Sequence, residues 1–299
     1  MILDKLLSNL SVEVEPFALC RIADGWRLRL PSPPVPMLHF VMEGEGAIGG
    51  RTGPPQPVAP SWFAVVPPGG RHSLQSGEPI EHEVQIDPPP DGSPVCQLTG
   101  GSGADGNFIV ACGLVTVRYG PSFDLFDHLT DVLITDLSRI PQVGTAFDGI
   151  LAEQAGLDVG STAVTKALMT QCLVHFFRTI GSSGSLPWLD ALDDPRLGRA
   201  IDRILEDPSV HHTVESLAEA ASMSRSTFAE RFTAAFGRPP MALVLQVRMQ
   251  HAAELLRRAG TLSLDEIAAQ CGYSSRSHFS AAFRKHHGAP PAEFRTQTE

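Results

Sequence analysis

Leu217-Ala218 … Phe228 … Phe232 … Gly237 … Pro239-Pro240 returns about fifty residues later as Ile267-Ala268 … Phe279 … Phe283 … Gly288 … Pro290-Pro291. A repeat this short cannot be two complete domains. It reads as two copies of a small helical unit, each unable to close a core alone and packed through a shared connection. In the first copy Thr213 is placed to cap a helix holding Leu217, Ala218 and Ala221. A turn follows at Ser222-Met223, and Ser224 caps a second helix that buries Phe228 and Phe232 at i, i+4. In the second copy Ser263-Leu-Asp-Glu266 is a capping box, Gly272 supplies a left-handed turn residue, and Phe279 and Phe283 form the equivalent pair. Each copy is a helix-turn-helix, the unit that places a helix in the major groove of DNA.

Working outward, Met241 to Arg258 carries Leu245, Met249, Ala252 and Leu256 on one face of a single helix. At 1.5 Å per residue it spans roughly 27 Å. Such a strut can hold two recognition helices about 34 Å apart, one turn of duplex. With Phe228 and Phe232 inward, Arg225, Ser226, Ala229, Glu230 and Thr233 face out. With Phe279 and Phe283 inward, Arg276, Ser277, Ser280, Ala281 and Arg284 do. Arg225 and Arg276 open their helices, where a guanidinium can grip guanine O6 and N7 or contact a phosphate. Glu230 can accept from cytosine N4 or remain solvated. Arg248 is expected to tie the two units together.

The 299 residues are 42% hydrophobic and 19% charged, enough for two globular domains. The formal charge of −10 argues against nucleic acid until it is divided by region. From His212 onward ten Arg and Lys face eight acids, so the acidity lies in the N-terminal part. This support is slight, and the DNA expectation rests on the repeat. No apolar run approaches a membrane span, and the opening Met-Ile-Leu-Asp-Lys-Leu-Leu-Ser lacks a secretory pattern, so a cytoplasmic protein is expected. Cys20, Cys96, Cys112, Cys172 and Cys271 are scattered, as expected of reduced buried thiols.

Up to about Gly120, short β-type runs alternate with Pro and Gly turns: Phe17–Ile22, Trp26–Leu30, Met37–Met42, Trp62–Val66, Ile80–Ile86 and Phe108–Cys112. Such runs predict a sandwich or small barrel. Thr99 to Gly106 reads as a flexible hairpin connection without the context of a nucleotide loop. From Phe123 the period becomes helical, over Phe123–Leu133, Ala146–Ala155 and Ala163–Phe177. The last helix is too apolar to lie free, so the barrel, a dimer partner or both cover it. Gly181 to Ser185 reads as a linker.

The chain resembles the AraC/XylS family of bacterial transcription regulators through Leu217-Ala218, Ser224-Arg-Ser-Thr-Phe228, Phe232, Gly237, Pro239-Pro240, Arg248-Met249, Ala252, Leu255-Leu256, Ile267-Ala268, Gly272-Tyr273, His278-Phe279, Phe283, Gly288, Pro290-Pro291 and Phe294-Arg295. Trp188 to Pro195 and Val214 to Leu217 look like the subgroup with a cupin-type N-terminal half. Ser222 departs from the glycine usual at the first turn, and Glu230 is acidic where a base would help. The resemblance implies an α+β chain. Residues 1–185 would be a cupin-like sensor and dimerisation domain, with a β-barrel over about 1–120 and helices over about 121–180. Residues 186–299 would be an all-α DNA-binding domain of two helix-turn-helix units joined by a linker helix.

It further implies a homodimer with double-stranded DNA, RNA polymerase and a small-molecule effector as partners, no membrane, and no enzymatic activity or cofactor. Trp26, Met37, His39, Phe63 and His72 would line the effector pocket. His39, Glu43 and His72, with His82, have a spacing loosely like metal-binding cupins. The usual His-x-His is absent, since Met37 and Val41 flank His39. Two further readings stand beside the regulator: a metal-dependent cupin enzyme with a helical appendage, and an adaptor that has lost DNA affinity. Cys112, with Cys96 as partner, is either a redox sensor or an inert core residue.

Overall fold

The computed structural model describes residues 7, 10–86, 97–101, 107–119, 123–126, 129–156, 158–181, 186–258 and 262–296. Two compact units emerge. One comprises 12–117 and 125–186; the other comprises 1–11, 118–124 and 187–299.

Two sheets make up most of the first unit, with the strand residues 10–11, 118–119 and 123–124 belonging to the second unit. Their strands are β1 (Leu10–Val14), β2 (Ala18–Ile22), β3 (Trp26–Leu30), β4 (Met37–Glu43), β5 (Gly46–Gly49), β6 (Gln56–Val58), β7 (Trp62–Val66), β8 (His72–Ser76), β9 (His82–Gln85), β10 (Gln97–Gly100), β11 (Phe108–Tyr119), β12 (Phe123–Asp124) and β13 (Leu133–Asp136). The larger sheet runs β10-β2-β11-β4-β7-β13, with β1 and β12 also pairing β11. The smaller runs β6-β5-β8-β3-β9. Among the described residues the sheets are not closed into the expected barrel; they stack as a sandwich. The connections explain this. Pro31, Pro33, Pro34 and Pro36 separate β3 from β4, and Pro67-Pro68 separates β7 from β8, so the corners lack the N–H groups that would carry a ladder round.

β4 is buried over five successive residues, Met37 to Val41, because it is covered on both faces. Met37 and Val41 join Leu28, Leu30, Leu74, Ala64 and Cys112 in the core between the sheets. Phe40 and its register partner Phe63 point the other way. There they meet α1 (Pro141–Gly156) and α2 (Ser161–Ile180): Phe40 stacks on Phe147 at 4.0 Å and Phe63 lies 4.9 Å from Phe176. The apolar side of α2, including Met169, Cys172, Leu173 and Phe176, is thus covered within the unit.

Three expectations fail here. The described residues of Phe123–Leu133 form no helix: Phe123 and Asp124 pair antiparallel with Tyr119 and Arg118, and Leu133 pairs with Val65, so among the described residues the helices that follow the sheets begin at Pro141 and not near 121. Thr99 does not belong to a hairpin connection, because β10 and β11 flank β2 on opposite sides, one parallel and one antiparallel. Residues 102–106 of that stretch lie outside the described residues. Leu245 is exposed and does not join the buried stripe of the linker helix.

The second unit is helical: α3 (Pro187–Asp193), α4 (Pro195–Glu206), α5 (Val214–Ala220), α6 (Arg225–Phe236), α7 (Pro240–Arg258), α8 (Leu264–Gln270), α9 (Arg276–His287) and α10 (Pro291–Thr296). α7 is the strut, and it is buried on different faces in its two halves. Leu243, Val244 and Val247 are buried in the first half, which meets α4 and α6. Met249, Ala252, Ala253 and Leu256 are buried with Ile267, Phe279 and Phe283 in the second. At about 100° per residue the two sets lie roughly half a turn apart, so the units sit on opposite flanks of the strut. Leu245 falls on the later face one turn too early to be covered.

Candidate functional site

Each half of the repeat is a helix, a tight turn and a second helix, and its local chemistry is visible in the capping bonds. Thr213 accepts from the Ser216 amide and Ser263 from the Glu266 amide, each completing a capping box. Ser224 accepts from the Thr227 amide and Ser275 from the His278 amide at the heads of α6 and α9. Both helices end on a left-handed glycine, Gly237 and Gly288. The turns are left-handed too, at Ser222 (φ 54°) and Gly272 (φ 75°). Arg199, which sequence reasoning missed, donates to the Ala220 carbonyl at 2.9 Å and braces the serine turn. Arg248 on α7 donates to the carbonyls of Pro208 and Val210, at 3.0 and 2.9 Å, and its guanidinium lies 5.7 Å from the centre of the Tyr273 ring. It joins the loop ahead of the first helix-turn-helix to the turn of the second, as its position on the strut suggested.

The outward faces are as the Phe spacing requires. Phe228, Phe232, Phe279 and Phe283 are fully buried. Arg225, Ser226, Glu230 and Thr233 are exposed and Ala229 half-buried on α6; Arg276, Ser277, Ala281 and Arg284 are exposed and Ser280 half-buried on α9. Two of these arginines carry partners that spacing did not reveal. Arg225 pairs with Glu215 at 2.8 Å and Arg276 with Asp265 at 3.6 Å. Arg231, off this face, pairs with Asp194, the cap of α4.

Inside the sandwich, His39 and His72 face each other with ring centroids 4.9 Å apart. His72 Nδ1 lies 3.2 Å from the Gly70 carbonyl, whereas both ring nitrogens of His39 and Nε2 of His72 are buried without a hydrogen-bond partner. Burial, and then the neighbouring His72 ring, holds the His39 imidazole well below the ordinary histidine range. Burial brings His72 down to about 4. The Trp26 ring lies 4.6 Å from that of His82, tilted by 33°, and packs against the core that holds Met37. Phe63 does not reach this pocket, because its register partner Phe40 fixes it on the helix side. Glu43 is exposed at the end of β4, four residues and roughly 13 Å along the strand from His39, and His82 is exposed. Among the described residues no three His, Cys, Asp or Glu side chains are grouped to hold a metal ion. A cleft of ≈ 450 Å³ has Arg29, Arg71, His72, Ser73 and Gln85 in its wall.

Cys112 meets Cys20 with their sulfurs 2.9 Å apart. Cys96 lies outside the described residues. Spacing could not have found Cys20, since β2 and β11 are far apart in the chain. Burial pushes the Cys112 thiol well up, which keeps it protonated and slow to react.

The helix-turn-helix domain family matches residues 217–297 and the cupin family matches residues 2–180, more than half of the chain. The chain is 26% identical over 307 residues to the HTH-type transcriptional regulator MtrA of Neisseria gonorrhoeae, covering 99% of this chain and 98% of that protein. It is 35% identical over 140 residues to the RCS-specific HTH-type transcriptional activator RclR of Escherichia coli K12, covering 47% of this chain and 48% of that one. Among solved structures, the DNA-binding domain of AdpA in complex with a target DNA is 34% identical with a TM-score of 0.33, covering 34% of this chain and 90% of that domain.

Proposed function

The chain belongs to the AraC-type transcriptional regulators that join an N-terminal cupin domain to a C-terminal helix-turn-helix domain, and from that premise we propose that α6 and α9 read successive major grooves on one side of a duplex. The supporting observation is the strut: one 19-residue helix carries a complete helix-turn-helix on each flank, each with an arginine at the exposed head of its recognition helix. At 1.5 Å per residue that strut is about 28 Å long, compatible with the repeat of the duplex. Arg225, Ser226, Ala229, Glu230 and Thr233 read one half-site, and Arg276, Ser277, Ser280, Ala281 and Arg284 the other. Genome-wide mapping of bound DNA with the full chain tests this. The Arg225→Ala/Arg276→Ala variant is expected to lose the mapped sites by more than tenfold in affinity while keeping residual, salt-dependent binding. A variant that occupies the same sites as the parent refutes the assignment.

The same proposal makes residues 1–185 the sensing part of a cytoplasmic homodimer that acts through RNA polymerase and catalyses no reaction, and residues 186–299 its DNA reader. No described helix is long and apolar enough to cross a membrane. The effector enters the cleft at His72, and the surrounding donors suit a small anionic molecule. Arg71 stands in its wall without an ion-pair partner among the described residues, and the buried His72 Nε2 lacks an acceptor or donor. Small carboxylates and phosphates screened against the full chain are expected to yield at least one that raises its melting temperature by several degrees at saturation. That shift should vanish in Arg71→Ala. A screen in which every hit acts equally on both chains overturns this placement.

A further inference from the structure

The two arginines that head the recognition helices are each held by an acid of the preceding helix, at the same place in both halves of the repeat. Arg225 is the first residue after the Ser224 cap, and its guanidinium lies 2.8 Å from Glu215, the second residue after the Thr213 cap. Arg276 is the first after Ser275, and it lies 3.6 Å from Asp265, the second after Ser263. We propose that Glu215 and Asp265 are positioning residues for sequence reading: they orient the Arg225 and Arg276 guanidinium groups toward base edges. The inference rests on the DNA reading above.

Repetition, geometry and charge carry it. Farther along the outward faces the halves diverge, with Ala229 against Ser280, Glu230 against Ala281 and Thr233 against Arg284, yet Arg-Ser heads both helices and an acid backs both arginines. A guanidinium has five N–H donors in a planar fork, so a carboxylate on one edge leaves another free for the paired acceptors of guanine. A flexible arginine held this way loses less freedom when it docks. These pairs are exposed, and exposed pairs add little to folding, so stability gives a poor account of them. An acid beside a duplex also weakens attraction to phosphate, a general penalty that better discrimination between sequences offsets.

The test compares affinities of the full chain for two probes: a duplex bearing the strongest site mapped for the parent protein, and a shuffled duplex of equal composition. In Glu215→Gln/Asp265→Asn, affinity for the shuffled duplex should rise about two- to threefold as two negative charges leave. The ratio of specific to shuffled affinity should fall about five- to tenfold as the arginines lose their orientation. The swapped variant Glu215→Asp/Asp265→Glu, which keeps both carboxylates, should hold the ratio near the parental value. If both affinities rise together, the acids only repel. A rising ratio means that they mask the arginines, and a parallel fall of both affinities marks a structural role; each of these overturns the proposal. A parent chain that binds the two duplexes equally overturns the DNA reading and this inference with it. A parental preference untouched by Gln and Asn overturns the inference alone.

Discussion

Taking the full chain from pH 6.5 to 4.5 should remove about 2 kcal/mol of stability from the sheet-rich unit through His72 alone, with His39 adding to the loss. Both imidazoles have native pKa values below the ordinary histidine value, so the unfolded chain binds protons first. Their contribution is therefore complete above about 6.5 and is lost as pH falls, ending for His72 near 4. The register neighbours of the pair offer no compensating charge: they are Ala64 and Cys112 beside His39, and Leu30 beside His72, and the Cys112 thiol stays protonated. Amide exchange across residues 37–43 and 72–76, followed against pH, reads the effect in the intact protein. His39→Leu removes one of the two titrations and should flatten the slope by roughly 1.4 kcal/mol per pH unit around pH 5.5. It also removes two buried nitrogens that have no partner, so at pH 7.5 the variant should be no less stable than the parent. An unchanged slope in His39→Leu would show that the acid sensitivity arises elsewhere. The native arrangement keeps a stability cost that leucine would avoid.

The helical half was legible because its signals are local. A cap and its amide are three residues apart, the Phe pairs four apart, and the glycine stops adjoin the helices they end, so Thr213, Ser224, Ser263, Phe228 and Phe279 fall where their spacing puts them. What remained hidden were partners brought in by folding: Glu215 on Arg225, Asp265 on Arg276, and Arg199 at the Ser222 turn. In the sheet-rich half the deciding contacts are distant. The Phe123–Leu133 stretch carries apolar residues at helical intervals, but pairing with Arg118–Tyr119 at one end and Val65 at the other outweighs that preference. Phe63 has the composition of a pocket residue, and only its register opposite Phe40 shows that it faces the helices. Cys20 and Cys112 meet across strands β2 and β11, which no local pattern could pair.

Gly272→Ala is expected to destabilise the second helix-turn-helix by about 3 kcal/mol, whereas Ser222→Gly, at the equivalent turn of the first, should stabilise it by about 0.5–1 kcal/mol. The two turns share a left-handed backbone, with φ of 75° at Gly272 and 54° at Ser222, and they differ in what surrounds them. A Cβ on Gly272 would stand 2.6 Å from the Ser209 carbonyl oxygen and 2.8 Å from an Arg248 guanidinium nitrogen. The carbonyl is backbone and the guanidinium is fixed by two bonds to Pro208 and Val210, so neither can yield cheaply. Backbone strain of about 1–2 kcal/mol and overpacking of a similar size therefore add. Ser222 is exposed and carries only the strain, since its one described side-chain bond is a 3.4 Å contact from Arg199. Glycine relieves that strain, partly offset by the freedom it restores to the unfolded chain. Amide exchange in residues 264–287 should quicken in Gly272→Ala, and exchange in 214–236 should slow in Ser222→Gly. Because Arg248 spans the loop before α5 and the Tyr273 turn, Gly272→Ala should also loosen 208–210, a coupling that Ser222→Gly lacks. Exchange that stays slow throughout 264–287 in Gly272→Ala would mean that the carbonyl and guanidinium can move aside, and that the two halves are not clamped through Arg248.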